Sequence, residues 1–482
     1  MSIAVVGGGL SGLVVASEIL HRRPDADVVV FESAEDVGGM LRTVRISDAV
    51  IDLGPDMFAL QPPGGEGLCE RIGLRAELIA PNVDRAGAKI LHRGRLHRVP
   101  EGFVLMRSTR AMPMLRTPLL SLRGKLRWAA ERWVRPRRGT DDESVGDFVR
   151  RRMGHEVLGR LVDPIVAGIY TADIDRLSMR ATMPQFAAME SQHGSLASAT
   201  RSRRRRGDDA TERGSAGARY QNFRSFVGGM QTLPEALARQ IGAKRIRCRV
   251  KIARIEREDQ TDGGRDAGKT AYRLTTESGQ THRAEQVVLA LPHRPASELL
   301  RDANPAAAAC LGEVTSSSAA VVILRIRKSQ IAVPLDMFGV VVPRSENRRV
   351  LAISFASLKF ANRCPEDELI VRCFVGGTFR PEWVDETDET LVRLVSDDLR
   401  DILGWSGEPS WTHVARWKHS MPQYHVGHLE LADRLHDAMS KTKALHYRGN
   451  AFGGVGIAPV IAAALKLGEA IAADLPPRRD PI

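Results

Sequence analysis

SIAVVGGGLSGLVVASEILHRRPDADVVVFES, residues 2–33, decides the fold. An apolar run, Ser2 to Val6, leads into Gly7-x-Gly9-x-x-Gly12. A stretch with helical apolar spacing follows, and a second apolar run, Val28 to Phe31, ends at Glu32. Each part has a physical task. Gly7 permits a tight turn, Gly9 lets the backbone approach a pyrophosphate, and Gly12 lets the helix pack close on the strand. The helix N-terminus presents unpaired N–H groups to phosphate charge. Glu32, twenty residues past Gly12, is placed to accept hydrogen bonds from ribose hydroxyls. An ordinary glycine-rich turn would supply the glycines without the strands, helix and acid in register. The stretch therefore predicts a dinucleotide-binding α/β unit.

Working outward, Gly38-Gly39 lie six and seven residues past Glu32, where a glycine pair lets the chain turn back under the dinucleotide, with Arg42 in reach of phosphate oxygens. At the other end, an apolar strand (Ala444 to Tyr447) meets Gly449-Asn450. Gly453-Gly454-Val455-Gly456-Ile457 then opens a long alanine-rich helix. In the middle, Arg247 to Ile255 reads as strand-like and Gln286 to Pro292 as a buried strand.

These motifs resemble the flavin-containing amine oxidase superfamily, in which ExxxxxGGxxxT, here Glu32 to Thr43, accompanies FAD rather than NAD. The resemblance implies a discontinuous Rossmann-like FAD domain, an α+β substrate domain with a mixed sheet, and a helical membrane-binding lobe. It places FAD segments at 1–62, 223–298 and 440–482, substrate segments at 63–100, 185–222 and 299–439, and the lobe at 101–184. Non-covalent FAD contacts implied at the first segment are Gly7, Gly9, Leu10, Ser11, Gly12, Glu32 and Ser33, then Gly39, Met40 and Arg42, then Gly54, Pro55, Asp56 and Met57. Val250 would touch the adenine, and Ala290 and Trp417 would lie near the cofactor. Gly449, Gly454, Val455, Gly456 and Ile457 would serve the flavin ring, whose reduced anionic form a helix N-terminus stabilises.

Five further blocks resemble the protoporphyrinogen oxidase family: LVDPIVAGIYTADIDRLSMRATMPQF (161–186), FRSFVGGMQTLPEALA (223–238), MFGVVVP (337–343), FVGG (374–377) and MPQY (421–424). The first is the most specific. This resemblance implies a substrate cavity lined by Gly168, Val341, Ser354 and Phe374, the last offering an aromatic face to a pyrrole. In GRLHRVPEG (94–102) the family often has an arginine for a substrate propionate. His97 stands there, and the neighbouring Arg98 is taken as the carboxylate contact because a guanidinium matches that anion bidentately. Asp56 stands where some members carry arginine.

The implied reaction is oxidation of protoporphyrinogen IX to protoporphyrin IX. Coproporphyrinogen III oxidation is the alternative; amine oxidation, carotenoid desaturation and a non-catalytic flavin scaffold rank lower. Hydride loss from a methylene bridge leaves a cation stabilised by pyrrole nitrogen, so no general base is required and none is assigned. His193, His419 and His425 read as surface or core residues. The electron acceptor would be oxygen or a quinone, and the chain a monomer or homodimer.

Bulk properties agree with this frame. The 482 residues, 43% apolar and 27% charged, suit two or three globular domains. Five scattered cysteines without a C-x-x-C pair argue against a disulfide framework or zinc site, so no metal is expected. No ~18-residue apolar stretch and no leader are seen, which predicts a cytoplasmic protein. The net charge of +12 is concentrated. Residues 107–139 hold ten Lys/Arg and one acid, mixed with Leu119, Leu120, Leu122, Leu126, Trp128 and Trp133. Such a basic, apolar stretch suits peripheral contact with an anionic membrane or a solvated basic lobe. Residues 191–219, with RSRRRR at 201–206, read as a mobile insertion without specific nucleic-acid binding, and 259–269 as a hairpin tip.

Overall fold

The computed structural model describes residues 2–82, 87–137, 139, 141–206, 220–259 and 270–476. The strand Ser2–Val6 sits in the middle of a five-stranded parallel sheet. Its order is Ile246–Arg247, Asp27–Phe31, Ser2–Val6, Gln286–Leu289 and Leu445–Tyr447. Val6 aligns with Phe31 on one side and Leu289 on the other, so the strand ends share one level. Three distant segments thus build one sheet, as the dispersed motifs require.

The helix Leu10–Arg22 crosses one face of this sheet and packs on the C-terminal helix Ile457–Asp474. Leu13, Val14, Val15 and Ile19 are fully buried there, each contributing on the order of 1.5–3 kcal/mol by leaving water. Helices His293–Ala303, Pro305–Glu313 and His428–Ser440 cover the other face.

A second, mixed sheet has seven strands, in the order Trp411–Pro422, Ser316–Arg327, Glu368–Gly376, Val350–Phe355, Gly339–Val341, Ala88–His92 and Arg95–Arg98. One face is sealed by the amphipathic helix Asp388–Leu403. Its other face meets the hairpin Thr43–Asp52 of the dinucleotide domain and the helical lobe. The site lies on that second face.

Several expectations need correction. Arg247 to Ile255 is not one strand. Ile246–Arg247 joins the parallel sheet, Arg249 turns the chain at φ +59°, and Ile252–Asp259 starts a separate antiparallel meander. Asp259 pairs with Thr270, a hairpin as expected, though 260–269 lie outside the described residues. The strand at 286 ends at Leu289, because Pro292 caps the next helix. The C-terminal strand begins at Leu445, Ala444 having positive φ.

The arginine-rich segment is helical through 206: Pro184–His193 and Leu196–Arg206 pack on the lobe by burying Phe186, Leu196 and Ala199. The apolar anchors Leu196 and Ala199 precede the arginines and were overlooked as a helical face; 207–219 lie outside the described residues. Within the lobe, fully buried Arg152 bonds Glu131 and Glu190. Part of the basic excess is therefore structural.

Candidate active site

At the parallel sheet's C-terminal edge two helices begin without side-chain caps. Gly9 precedes Leu10–Arg22 and Gly456 precedes Ile457–Asp474. Their first N–H groups thus lack the side-chain partner that a helix start usually has. A Cβ on Gly9 would meet nothing within 4 Å, so open space faces it. By contrast a Cβ on Gly12 would lie 2.0 Å from the Gly7 carbonyl oxygen and 3.1 Å from Ala290 Cβ. These are the tight and open positions that a pyrophosphate cradle demands. Glu32 closes the turn by accepting from the N–H of Gly8 (2.7 Å) and Ala34 (2.7 Å), beside exposed Ser33. Val250 donates its N–H to the Glu32 carbonyl, which puts it beside the ribose position. Gly9 bridges Gly38, bringing Gly39 and Met40 alongside. Leu10 is buried, Ser11 bonds the Arg448 carbonyl, and Arg42 projects outward. These residues fit an extended dinucleotide carrying a redox ring.

The second glycine loop is held by a residue the sequence reading did not assign. Tyr424, last of the MPQY block, donates to the Asn450 carbonyl (2.7 Å) and accepts from Gly454 N–H (3.0 Å). Its ring stacks 4.0 Å from His428, which stacks 5.0 Å from Phe452 of the same loop. The loop Gly449–Ile457 is thereby fixed in front of its helix. Burial lowers the His428 pKa to about 4, so the stack contains neutral imidazole near pH 7.

Leu53 to Met57 connects the two domains. Trp417 Nε1 donates to the Leu53 carbonyl (3.1 Å) and its ring lies 3.4 Å from where a Gly54 Cβ would sit, with the Met40 carbonyl on the other side. Pro55 and Met57 remain half-exposed. Asp56, expected among the cofactor contacts, turns its carboxylate to Lys359 Nζ (2.9 Å) and Arg372 Nη1 (2.9 Å). Arg372 also donates to the Gly54 carbonyl. Burial alone would raise the Asp56 carboxyl. Lys359 and Arg372, with Arg363 behind them, instead hold it well below the usual carboxylate range. Next to it, Asp52 accepts from Thr43 Oγ1 (2.7 Å) and Met230 N–H (2.7 Å). Two acids and three cations are buried together, a cluster invisible to a motif search because its members are 300 residues apart.

Cross-strand register aligns His97, Ile90, Val341, Ala352, Phe374, Val321 and Ala415 in one row of the mixed sheet. Directly paired residues share a face, and the adjacent row on that face holds Ser354 and Arg372. Gly168 of helix Asp163–Tyr170 closes over it, its missing Cβ 3.5 Å from Val341 and 3.9 Å from Ala352. Val341, Ser354, Phe374 and Gly168 are therefore brought together, and Arg372 ties them to Leu53–Met57. The Ser354 hydroxyl is buried with no partner on this face.

Arg98 stands apart. It pairs with Lys89, one residue out of phase with the row, so its side chain leaves on the opposite face and bonds Asp336 with Lys89 (2.5 Å). Strand alternation, overlooked in the choice between His97 and Arg98, favours His97 for the cavity side. His425 is half-buried beside Thr315, and His193 and His419 hold no position in the row.

The lobe's exposed apolar side chains are also redistributed. Leu119 and Leu120 are core and Trp128 packs against it. Met112, Leu115, Leu122, Leu126 and Trp133 are the exposed ones, and Arg132 lies 3.8 Å over Trp133.

A parallel dinucleotide sheet with open glycine loops, joined through Leu53–Met57 to an apolar row on a second sheet, is the arrangement of a nucleotide-cofactor oxidoreductase. The chain matches the family described as flavin containing amine oxidoreductase over residues 10–469, and it belongs to that family. It is a flavin-dependent oxidoreductase. Among its relatives is a coproporphyrinogen III oxidase of Bacillus subtilis, 30% identical over 94% of each chain. Another is protoporphyrinogen oxidase 2 of Arabidopsis thaliana, 26% identical over 97% of this chain and 93% of the relative. The solved structure of a protein from Exiguobacterium sp. 255-15, provisionally assigned as a protoporphyrinogen oxidase, superposes with a TM-score of 0.85 at 29% identity. It covers 98% of this chain and 99% of that one.

Proposed function

We propose that the chain oxidises a porphyrinogen to its porphyrin with non-covalently held FAD, protoporphyrinogen IX being the first reading. The observation that supports this best is the flat row Val341–Ala352–Phe374 facing Gly168, joined through Arg372 to the Leu53–Met57 loop. FAD, when bound, supplies the hydride acceptor. The protein's own tasks are positional. The uncapped helix starts at Gly9 and Gly456 hold phosphate and ring charge, and Gly168, close against Val341 and Ala352, forms one wall beside the substrate ring. Phe374 offers that ring an apolar face. Coproporphyrinogen III is the second reading, favoured by the names of the Bacillus subtilis and Propionibacterium freudenreichii relatives, 30% and 32% identical. Anaerobic mixing with each porphyrinogen, followed by flavin bleaching and porphyrin fluorescence, tests both. Bleaching by neither would overturn them, and the faster one names the substrate.

Gly168 offers a sharper check. Gly168→Ala is accommodated, since its Cβ would make ordinary contacts at 3.5 and 3.9 Å. Gly168→Leu fills the space over the row, and porphyrinogen kcat/KM is expected to fall on the order of 100-fold, about 2.7 kcal/mol, with flavin content unchanged. Equal rates for Leu and wild type would remove Gly168 from the cavity.

Oxygen or a quinone is proposed as acceptor, and the lobe as a peripheral membrane contact. Among the described residues no helix is long and apolar enough to cross a membrane, whereas Leu122, Leu126 and Trp133, exposed beside Arg123, Lys125 and Arg132, suit an anionic headgroup layer. Wild type should sediment with phosphatidylglycerol-rich vesicles at low salt and less at high salt. The Leu122→Glu/Leu126→Glu/Trp133→Ala variant should stay in solution. A wild type that never sediments would refute the contact.

A further inference from the structure

The strand Leu445–Tyr447 is the outer edge of the parallel sheet, with Gln286–Leu289 its one strand neighbour among the described residues. That neighbour takes the N–H of Arg448 onto the Leu289 carbonyl and gives the Val287 N–H to the Ala444 carbonyl. Alternation along the strand turns the N–H groups of Leu445 and Tyr447 the other way, toward the open edge. There, between helices His428–Ser440 and Ile457–Asp474, lies a cavity of about 490 Å³.

Its lining is one-sided in charge. His436, Lys443, His446 and Arg448 line it, and no carboxylate does. Asp474, which acts on His446 from the C-terminal helix, is not among the lining residues. Arg448 is the informative member. Its Nε is buried without an acceptor and the side chain makes no ion pair among the described residues. Three more deeply buried arginines are paired: Arg152 with Glu131 and Glu190, Arg363 with Asp52, and Arg372 with Asp56. A half-buried guanidinium whose Nε is shielded from water and has no counter-ion gains from an anion that completes it. Tyr447, the preceding residue, also buries a hydroxyl that has no hydrogen-bond partner among the described residues. Leu435, Met439, Phe452 and Leu467 complete the walls and are apolar. An oxyanion alone would leave these walls uncovered, and an apolar molecule alone would leave Arg448 unpaired.

We infer that this cavity is a second binding site, adjoining the flavin loop at Gly449 and distinct from the substrate row, for a small organic anion. Its ligand carries a carboxylate or phosphate head for Arg448 and the open N–H edge, on a short apolar body for Phe452, Met439 and Leu467. The site is on the outer flank of the dinucleotide domain, so ligand there bears on the Gly449–Ile457 loop through Phe452.

Calorimetric titration of the flavin-loaded protein with hexanoate, hexyl phosphate, hexanol and inorganic phosphate tests this. Flavin loading keeps the cofactor site filled. One equivalent of hexanoate or hexyl phosphate should bind, whichever head is preferred showing which anion the site serves. Hexanol and inorganic phosphate should each bind at least tenfold more weakly. Arg448→Met should weaken the better ligand tenfold or more. In wild type, that ligand should shift the imidazole C–H resonances of His436 and His446 in NMR spectra, a readout that does not depend on the variant folding. Unshifted histidines, hexanol binding as well as hexanoate, or a folded Arg448→Met variant with unchanged affinity would each overturn the site.

Discussion

Gly12→Val is expected to abolish flavin retention and destabilise the fold, whereas Gly9→Ala is expected to weaken flavin binding alone. A Cβ at residue 12 would fall 2.0 Å from the Gly7 carbonyl oxygen and 3.1 Å from Val5 Cγ1, both in the rigid strand–turn unit. The helix Leu10–Arg22 would have to lift off the sheet, opening the layer that buries Leu13, Val14 and Val15. Overpacking of this kind costs about 1–3 kcal/mol or more, and a lifted helix start no longer aims its N–H groups at phosphate. Gly9 has φ −73° and ψ 178°, a conformation any residue adopts, and its Cβ would touch no protein atom. Alanine there leaves the polypeptide unstrained and pushes a methyl group toward the space kept for pyrophosphate. Flavin affinity is expected to fall on the order of tenfold to 100-fold, about 1.4–2.7 kcal/mol. Flavin absorbance of the purified proteins and thermal unfolding of the flavin-free forms separate the two. Equal flavin content in Gly9→Ala and wild type would remove that glycine from the cradle.

The contrast also shows what was legible beforehand. Gly7, Gly9 and Gly12 declare their tasks because strand, turn and helix are contiguous, and each task is local backbone geometry. The C-terminal loop was legible for the same reason. Face assignments across the mixed sheet were not. Arg98 was preferred to His97 on guanidinium chemistry, but the pairing Ile90–His97 and Lys89–Arg98 decides which side chain faces the row. Register between strands brought together by folding is not encoded at either residue. Asp56 shows the same limit. Its neighbours Lys359 and Arg372 arrive from a helix and a strand about 300 residues away, so the carboxylate of a residue expected at the cofactor is one member of a buried ion cluster. The arginine run at 201–206 misled differently. Counting charge hid the apolar anchors Leu196 and Ala199, which bury one turn of the same helix. The identities of Val341, Ser354, Phe374 and Gly168 came from resemblance, and the row geometry supplies a physical reason for grouping them.

Arg372→Met is expected to destabilise the protein by about 3–5 kcal/mol at pH 7, the cost of removing one partner from a buried ion pair. Arg372 is 2% exposed at its side chain, holds Asp56 at 2.9 Å and donates to the Gly54 carbonyl. Methionine fills the volume but leaves Asp56 with Lys359 alone and frees the loop that Trp417 holds from the other side. Flavin affinity should fall as well, because Leu53–Met57 is then fixed at one end only. The pH dependence distinguishes electrostatics from packing. Folding lowers the Asp56 pKa, so its contribution is fully present above the unfolded value, about 3.9, and is lost as pH falls through the depressed folded value. The difference in unfolding free energy between wild type and Arg372→Met should therefore be constant from pH 7 to 5 and shrink below pH 4. An Asp56→Asn change in the same background should deepen the loss, since buried Lys359 then keeps no carboxylate partner. Denaturant unfolding at pH 7, 5 and 3 measures all three terms. A difference that persists unchanged at pH 3, with no further loss from Asp56→Asn, would mean that Arg372 acts by filling space. The dinucleotide loop would then be joined to the substrate sheet by packing alone.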